Sequence, residues 1–201
     1  MGEKPVSEEQ GSGVTTAGDI SGLIPGHITT KQELNVWESR NILDAVKKNL
    51  SKRTGFKIDE ARLKKLHRDM FNRTWKWAGK YRASHVNIGI APGHIPVEVR
   101  KLCDDAAYWD AHNVYDEYEC SARIHHRLVK IHPFYNGNGR HARLAADIYL
   151  YNKNKKLPVW PGAEIIKPVG FRERYIKALQ DADNGDYKGI ISITRELTGS
   201  G

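Results

Sequence analysis

The chain reads as a mainly α protein, a bundle of helices interrupted by one short β-hairpin. Three observations predict it. Apolar residues recur at helical spacing in several segments. The one stretch of alternating apolar residues, Val86 to Val97, is short and contains Pro92-Gly93. No internal repeat marks a second domain.

Met1 to Asp19 is polar, with Gly11, Ser12 and Gly13 and few apolar residues, so residues 1–21 are expected to be a disordered tail. A single domain is expected over 22–201, with an N-terminal helix at about 30–50 and a core at about 58–198. Thr30-Lys-Gln-Glu33 is a capping box and opens the first helix, 30–50. A second helix, 58–73, carries the apolar stripe Leu63, Leu66, Met70 and Phe71. After the hairpin, helices are expected over 97–112 and 117–131. The latter shows Ala122, Ile124, Leu128, Val129 and Ile131 at roughly helical spacing and should stop at His132, because Pro133 disfavours helical geometry at the residue before it. Beyond Asn136-Gly-Asn-Gly139, the residues Leu144, Ala145, Ile148, Tyr149 and Leu150 define a helix over 138–152, and helices over 169–182 and 187–197 complete the bundle. Trp37, Trp75, Trp77, Trp109 and Trp160 are expected in the core.

The stretch His132-Pro-Phe-Tyr-Asn-Gly-Asn-Gly-Arg-His-Ala-Arg143 concentrates chemistry: a base, a glycine loop entering a helix, and two guanidiniums. A helix N-terminus has unpaired N–H groups and partial positive charge, and small residues let an anion approach them. Arg140 and Arg143 lie three apart on one helix face, where guanidinium forks suit phosphate oxygens. His132, at the other end of the loop, is placed to take a proton from an attacking hydroxyl. The set points to phosphoryl or nucleotidyl transfer. Gly137 to Ala142 formally fits a dinucleotide fingerprint, but that motif needs a preceding strand, and here a helix precedes. No Gly-Lys-Ser/Thr follows the glycines, which excludes a P-loop. His125, His126 and His132 lack helical zinc-ligand spacing, so His125 and His126 are expected as ordinary core or surface histidines.

The same twelve residues resemble the signature of Fic domains, HPFx[DE]GNGRxxR, and depart from it only at Asn136. Trp75-Lys-Trp-Ala-Gly-Lys-Tyr-Arg82 with Val86-Asn-Ile-Gly89 resembles the family's lead into its flap hairpin, and Tyr175 to Leu179 with Asp183 to Asp186 resembles its closing helices. Gly22-Leu-Ile-Pro25 and His27 to Glu38 further resemble the short bacterial subgroup called mobile mystery protein B. The resemblance implies a Fic-fold helical bundle with a hairpin flap, and an enzyme moving AMP from ATP to a Ser, Thr or Tyr hydroxyl of a target protein. His132 would be the general base and Phe134 a buried loop anchor. Gly137, Asn138, Gly139 and Arg140 would hold the α- and β-phosphates, and Arg143 the γ-phosphate. Ile88, Gly89 and Ile90 of the flap would dock the target segment by strand addition. Tyr175 and Asp183 are candidates for the adenine pocket, against the alternative of a packed aromatic and a helix-end turn residue.

The family's usual carboxylate ligates Mg²⁺ where this chain has Asn136, whose amide oxygen brings no charge. Either the phosphates hold Mg²⁺ or Mn²⁺ nearly alone, or the donor differs, or the chain is a catalytically weak module that binds nucleotide or a protein. Thr29 to Glu33 resembles the family's inhibitory motif, with Leu34 at its sixth position; Glu33 would then pair with Arg143. Its rival is the capping box, and Ser192 to Glu196 offers another partial match through Glu196. The subgroup implies a toxin-like, self-inhibited protein with a helix-turn-helix or antitoxin-like partner; an oligomer is open.

Bulk properties fit this reading. With 201 residues, 39% of them hydrophobic, the chain can bury one substantial core. No run approaches a membrane span and no signal-peptide core is present, so a cytoplasmic protein without a membrane partner is expected. Cys103 and Cys120 lack metal-ligand spacing and are expected as reduced thiols. The net charge is +8, but 24 acidic residues are interleaved with the basic ones and the basic runs are short. Direct nucleic-acid binding is not expected from charge alone.

Overall fold

The computed structural model describes residues 22–53, 55, 57–161 and 170–199. The tail expected over 1–21 lies outside them. Seven α-helices follow one another among the described residues: α1 Lys31–Asn49, α2 Glu60–Phe71, α3 Ile95–His112, α4 Glu117–Ile131, α5 Asn138–Asn152, α6 Phe171–Asp183 and α7 Lys188–Leu197. Local chemistry sets several starts. Thr30 caps α1 through the expected capping box, Asp59 accepts from the Arg62 N–H at α2, and Asp116 accepts from the Tyr118 and Glu119 N–H groups at α4. The third helix starts earlier than expected, at Ile95, because Pro96 in its first turn needs no N–H donor there.

The α4–α5 pair forms the centre, with α2 and α3 against it and α1 laid on α2, while α6 and α7 pack together against α4. The main core joins α2 through α5, with Phe71, Leu102, Ile124, Leu128, Ile148 and Leu150 buried in it. A smaller core unites Ala122 of α4 with Ala178, Ala182, Ile190 and Ile193 of α6 and α7. Ahead of α1, Leu23 pairs with Trp75 in one isolated bridge, flanked by hydrogen bonds from the Ile24 N–H to Thr74 O (2.9 Å) and from the Lys76 N–H to Gly22 O (2.9 Å).

The expected hairpin over Val86 to Val97 is not formed. Residues 87–90 bend, Pro92–His94 makes a single 3-10 turn, and no strand pairing joins the arms. The reason is a competing donor. The Arg82 guanidinium takes the carbonyls of Ser84 and Ile90, while the Arg82 and Ile90 N–H groups turn to Pro133 O (3.0 Å) and Ile131 O (3.4 Å). The arms are therefore tied to the end of α4 instead of to each other.

Candidate active site

The loop between α4 and α5 is built around an anchored phenylalanine. His132 ends α4 in the left-handed conformation (φ 52°, ψ 61°), a geometry unfavourable for a residue with a Cβ. Phe134 is fully buried, stacked on His67 at 3.7 Å between ring centroids and edge-on to His141 at 5.0 Å. Asn138 closes the loop with its side chain: its Oδ1 accepts from the Phe134 N–H (2.9 Å) and its Nδ2 donates to Phe134 O (2.8 Å). Gly137 has φ 75°, and a Cβ there would lie 2.3 Å from the Phe71 ring, so the backbone runs where only glycine fits. A Cβ at Gly139 would meet only open space. No side chain caps α5, and its N-terminus borders the loop.

Two buried side chains that motif reading passed over hold this loop. His67 accepts the Gly79 N–H at Nδ1 (2.9 Å), so Nε2 carries the proton and donates to Asn136 O (3.0 Å). Burial, reinforced by the charges of His141 and Arg140, holds His67 well below the ordinary histidine range. Arg82 donates Nε to His132 O (2.7 Å) as well as to the bent segment. The signal for both was available only as a polar residue amid apolar ones, in Leu66-His67 and Tyr81-Arg82.

The His132 ring is mostly withdrawn from water. Its Nδ1 is buried without a hydrogen-bond partner among the described residues. Burial pushes its pKa down to about 4, the Arg82 charge adds to the shift, and the nearby Val129 carbonyl opposes it. Gly89, at φ 105°, crosses directly over it: a Cβ on Gly89 would come within 2.5 Å of His132 Cβ. Ile90 is held beside α4, whereas Ile88 is 60% exposed.

The arginines sit on the adjoining face of α5. Arg140 donates Nη1 to Glu38 Oε2 (2.6 Å), a carboxylate buried on α1 that also accepts Trp75 Nε1–H at Oε1 (2.6 Å). Arg143 lies over the Trp160 ring, 5.8 Å from its centroid, in the field of Asp147 and Tyr175. Burial pushes the Asp147 carboxyl up to about 7, against the opposing Trp160 hydrogen bonds and Arg143 charge.

Neither expected acidic partner meets Arg143. Glu33 is spent on its own helix start, accepting from the Thr29 N–H (2.9 Å) and Thr30 N–H (3.0 Å), and those bonds lower its pKa. Glu196 pairs with Arg174 (2.8 Å) on the surface. The acidic residue that reaches the signature is Glu38, and it takes the first arginine. Helical spacing explains the displacement: Glu33 lies in the first turn of α1, whereas Glu38 lies farther along on the buried face. Tyr175 and Asp183 pair with α4 instead of standing free: Tyr175 Oη is 2.9 Å from His125 Nε2, and Asp183 Oδ1 is 3.0 Å from His126 Nε2 and 3.2 Å from Lys130 Nζ.

For a divalent cation the donor set is thin. Asn136 Oδ1 accepts its neighbour's Gly137 N–H (2.7 Å), and no group of three His, Cys, Asp or Glu that could hold a metal occurs among the described residues. These side chains do not form a resident Mg²⁺ cage; a cation would have to arrive with the phosphates that ligate it. No described helix is long and apolar enough to cross a membrane.

Comparison with known proteins agrees with the fold. The structure superposes on the Bartonella tribocorum BepC protein with bound AMPPNP at a TM-score of 0.65 and 16% identity, covering 88% of this chain and 95% of that one. On Caenorhabditis elegans Fic-1 (aa134–508) the TM-score is 0.65 at 22% identity, covering 90% of this chain and 52% of that one. By sequence, protein adenylyltransferase fic-1 of Caenorhabditis briggsae is 31% identical over 117 residues, and protein adenylyltransferase Fic of Drosophila grimshawi is 28% identical over 126. These matches take in 57% and 60% of this chain but only 22% and 24% of the relatives' own lengths. The family model described as Fic/DOC matches residues 57–150, from the approach to α2 through nearly all of α5. The signature loop and the helices on either side of it lie within that match, so residues 57–150 are similar to the Fic/DOC family domain in sequence and in fold.

Proposed function

We propose that this protein transfers the AMP moiety of ATP to a side-chain hydroxyl of a target protein. The observation that carries the reading is the proximity of His132, poised as a neutral ring, to the uncapped glycine entry of α5 with its arginines. In the reaction the hydroxyl oxygen forms a bond to the α-phosphorus, its proton passes to His132 Nε2, and the bond to pyrophosphate breaks. Backbone N–H groups at Asn138 and Gly139 meet the growing charge on the phosphoryl oxygens, together with Arg140 and Arg143, and the Gly137 N–H joins them once it leaves Asn136 Oδ1. A histidine near pKa 4 is a weak base, and the negative charge of a bound polyphosphate would raise it toward neutrality. A divalent cation bound to the ATP phosphates would neutralise part of their charge, and Asn136 is the side chain that would join them in holding it. The segment Ile88 to Ile90 presents the target chain to His132.

Glu38 supports a self-restrained resting state, because Arg140 cannot give all its donors to phosphate while it is paired to α1. A second reading, a nucleotide-binding module of low activity, draws on Asn136, which adds no charge for a cation. A separate antitoxin-like partner is compatible with either.

Intact-mass measurement after incubation with ATP and Mg²⁺ tests transfer. The protein should gain one AMP unit, and His132→Ala should slow that gain by about 10² to 10⁴. Nucleotide binding by calorimetry without any adduct, on itself or on lysate proteins, would replace the first reading with the second.

A further inference from the structure

Arg82 is buried, and its guanidinium is satisfied by carbonyl oxygens: Nε by His132 O (2.7 Å), Nη1 by Ser84 O (3.0 Å), and Nη2 by Ile90 O and, at 3.5 Å, Ile131 O. No carboxylate pairs with it among the described residues. A buried charge held this way is costly to build unless its geometry matters, and the fork of Arg spans directions that one ammonium cannot. Two of its acceptors are the last carbonyls of α4, where a cation is favourable. The other two belong to the bent segment after Tyr81. The same segment is joined to the loop again by the Ala83 N–H, which donates to Tyr135 Oη (3.0 Å), and by Gly89, whose backbone lies against His132.

We infer that Arg82 is a positioning residue that locks the 83–90 segment and the His132 end of α4 into one rigid unit, so that a hydroxyl docked on the segment arrives in register with the ring. The kinetic part of this inference rests on the transferase reading; the mechanical part does not. Arg82 also places its charge beside the ring, which favours the neutral form.

The test uses the full chain as wild type, Arg82→Met, Arg82→Lys and Gly89→Ala. Amide exchange of Ala83 and Ile90 and NMR titration of the His132 ring are followed, with the transfer kinetics. In Arg82→Met the two amides should lose protection by about tenfold or more, since their partners are no longer held. The His132 titration should move up from about 4. kcat/KM should fall on the order of 10²-fold, the scale of an ångström misplacement. Arg82→Lys keeps the charge without the fork, so it should lose amide protection while the titration stays near wild type. Gly89→Ala should loosen the segment with Arg82 intact. Unchanged protection and titration in a folded Arg82→Met overturns the inference; should that variant fail to fold, unchanged protection in Arg82→Lys overturns it. If the wild type transfers nothing, only the transferase reading falls, because exchange and titration need no activity.

Discussion

α5 and α1 both bring a charged group to the arginine face, but they are seated in opposite ways. α5 buries Ala142, Leu144, Ala145, Ala146, Ile148 and Leu150 along its length, a broad apolar contact. On α1 the fully buried residues are Glu38, Asn41 and Ala45. Asn41 bridges Asp69 O (3.0 Å) and the Arg73 N–H (3.1 Å), Glu38 takes Trp75 and Arg140, and Leu34, Ile42 and Val46 add partial apolar cover. Apolar burial is non-directional and tolerant of local polar change, whereas hydrogen-bonded seating depends on each partner being present. The helix carrying Arg140 and Arg143 is thus part of the core, whereas the helix carrying Glu38 is held largely by directional polar contacts, one of them to Arg140.

Acid should break this contrast most strongly. His67, His125, His132 and His141 belong to α2, α4, the loop and α5, and none lies on α1. Their folded pKa values are depressed: well below the ordinary range for His67, about 3 for His125, and about 4 for His132 and His141, with burial the first cause in each. The unfolded chain therefore takes protons first as pH falls. The stability these groups contribute is intact above pH ~6.5 and is lost toward pH 4, approaching about 1.4 kcal/mol per pH unit per group. Asp147, raised to about 7, acts oppositely between about pH 4 and 7, because the folded state holds its proton, but it is one group against four. Urea titrations at pH 7 and 5 should show a large drop in midpoint; equal midpoints would contradict the buried, neutral histidines.

Phe134→Ala should be next, removing about 3–5 kcal/mol by emptying the space between His67 and His141. Denaturant midpoints measure it, and a loss under 1 kcal/mol would mean the loop does not depend on its anchor.

Glu38→Gln sharpens the comparison from the other side. It keeps the size and an acceptor for Trp75 but removes the negative charge that pairs with Arg140, costing about 1–3 kcal/mol. Nucleotide affinity should rise, about tenfold if one charge-assisted bond is released. Calorimetry of ATP binding decides, and unaltered or weaker binding would remove Glu38 as a competitor. Glu33→Ala should have the smallest effect, the loss of the reciprocal half of the capping box while Thr30 still caps the helix, with ATP affinity unchanged. A strong gain in affinity there would restore Glu33 to the site.

Much of the helical plan was legible in sequence because it is locally encoded. The stop at His132 before Pro133, the capping box at Thr30, and the stripe of Leu63, Leu66, Met70 and Phe71 each follow from neighbours along the chain. The hairpin was misread because alternation and Pro92-Gly93 report propensity, whereas a side chain from outside the segment took its carbonyls. Asn138 was read for its backbone alone, although its side chain closes the loop around Phe134.

The order of helices, the twelve-residue loop and the placement of its histidine and arginines were determined by the sequence itself, since caps, prolines, glycines and apolar spacing act within a few residues. Which acid meets which arginine, how His67 and Arg82 hold the loop, and how far His132 departs from an ordinary histidine were decided only by tertiary structure. Those properties depend on burial and on partners distant along the chain, as in Glu38 with Arg140 and Arg82 with His132, and hydrogen-bond geometry and desolvation exist only once the chain has closed around them.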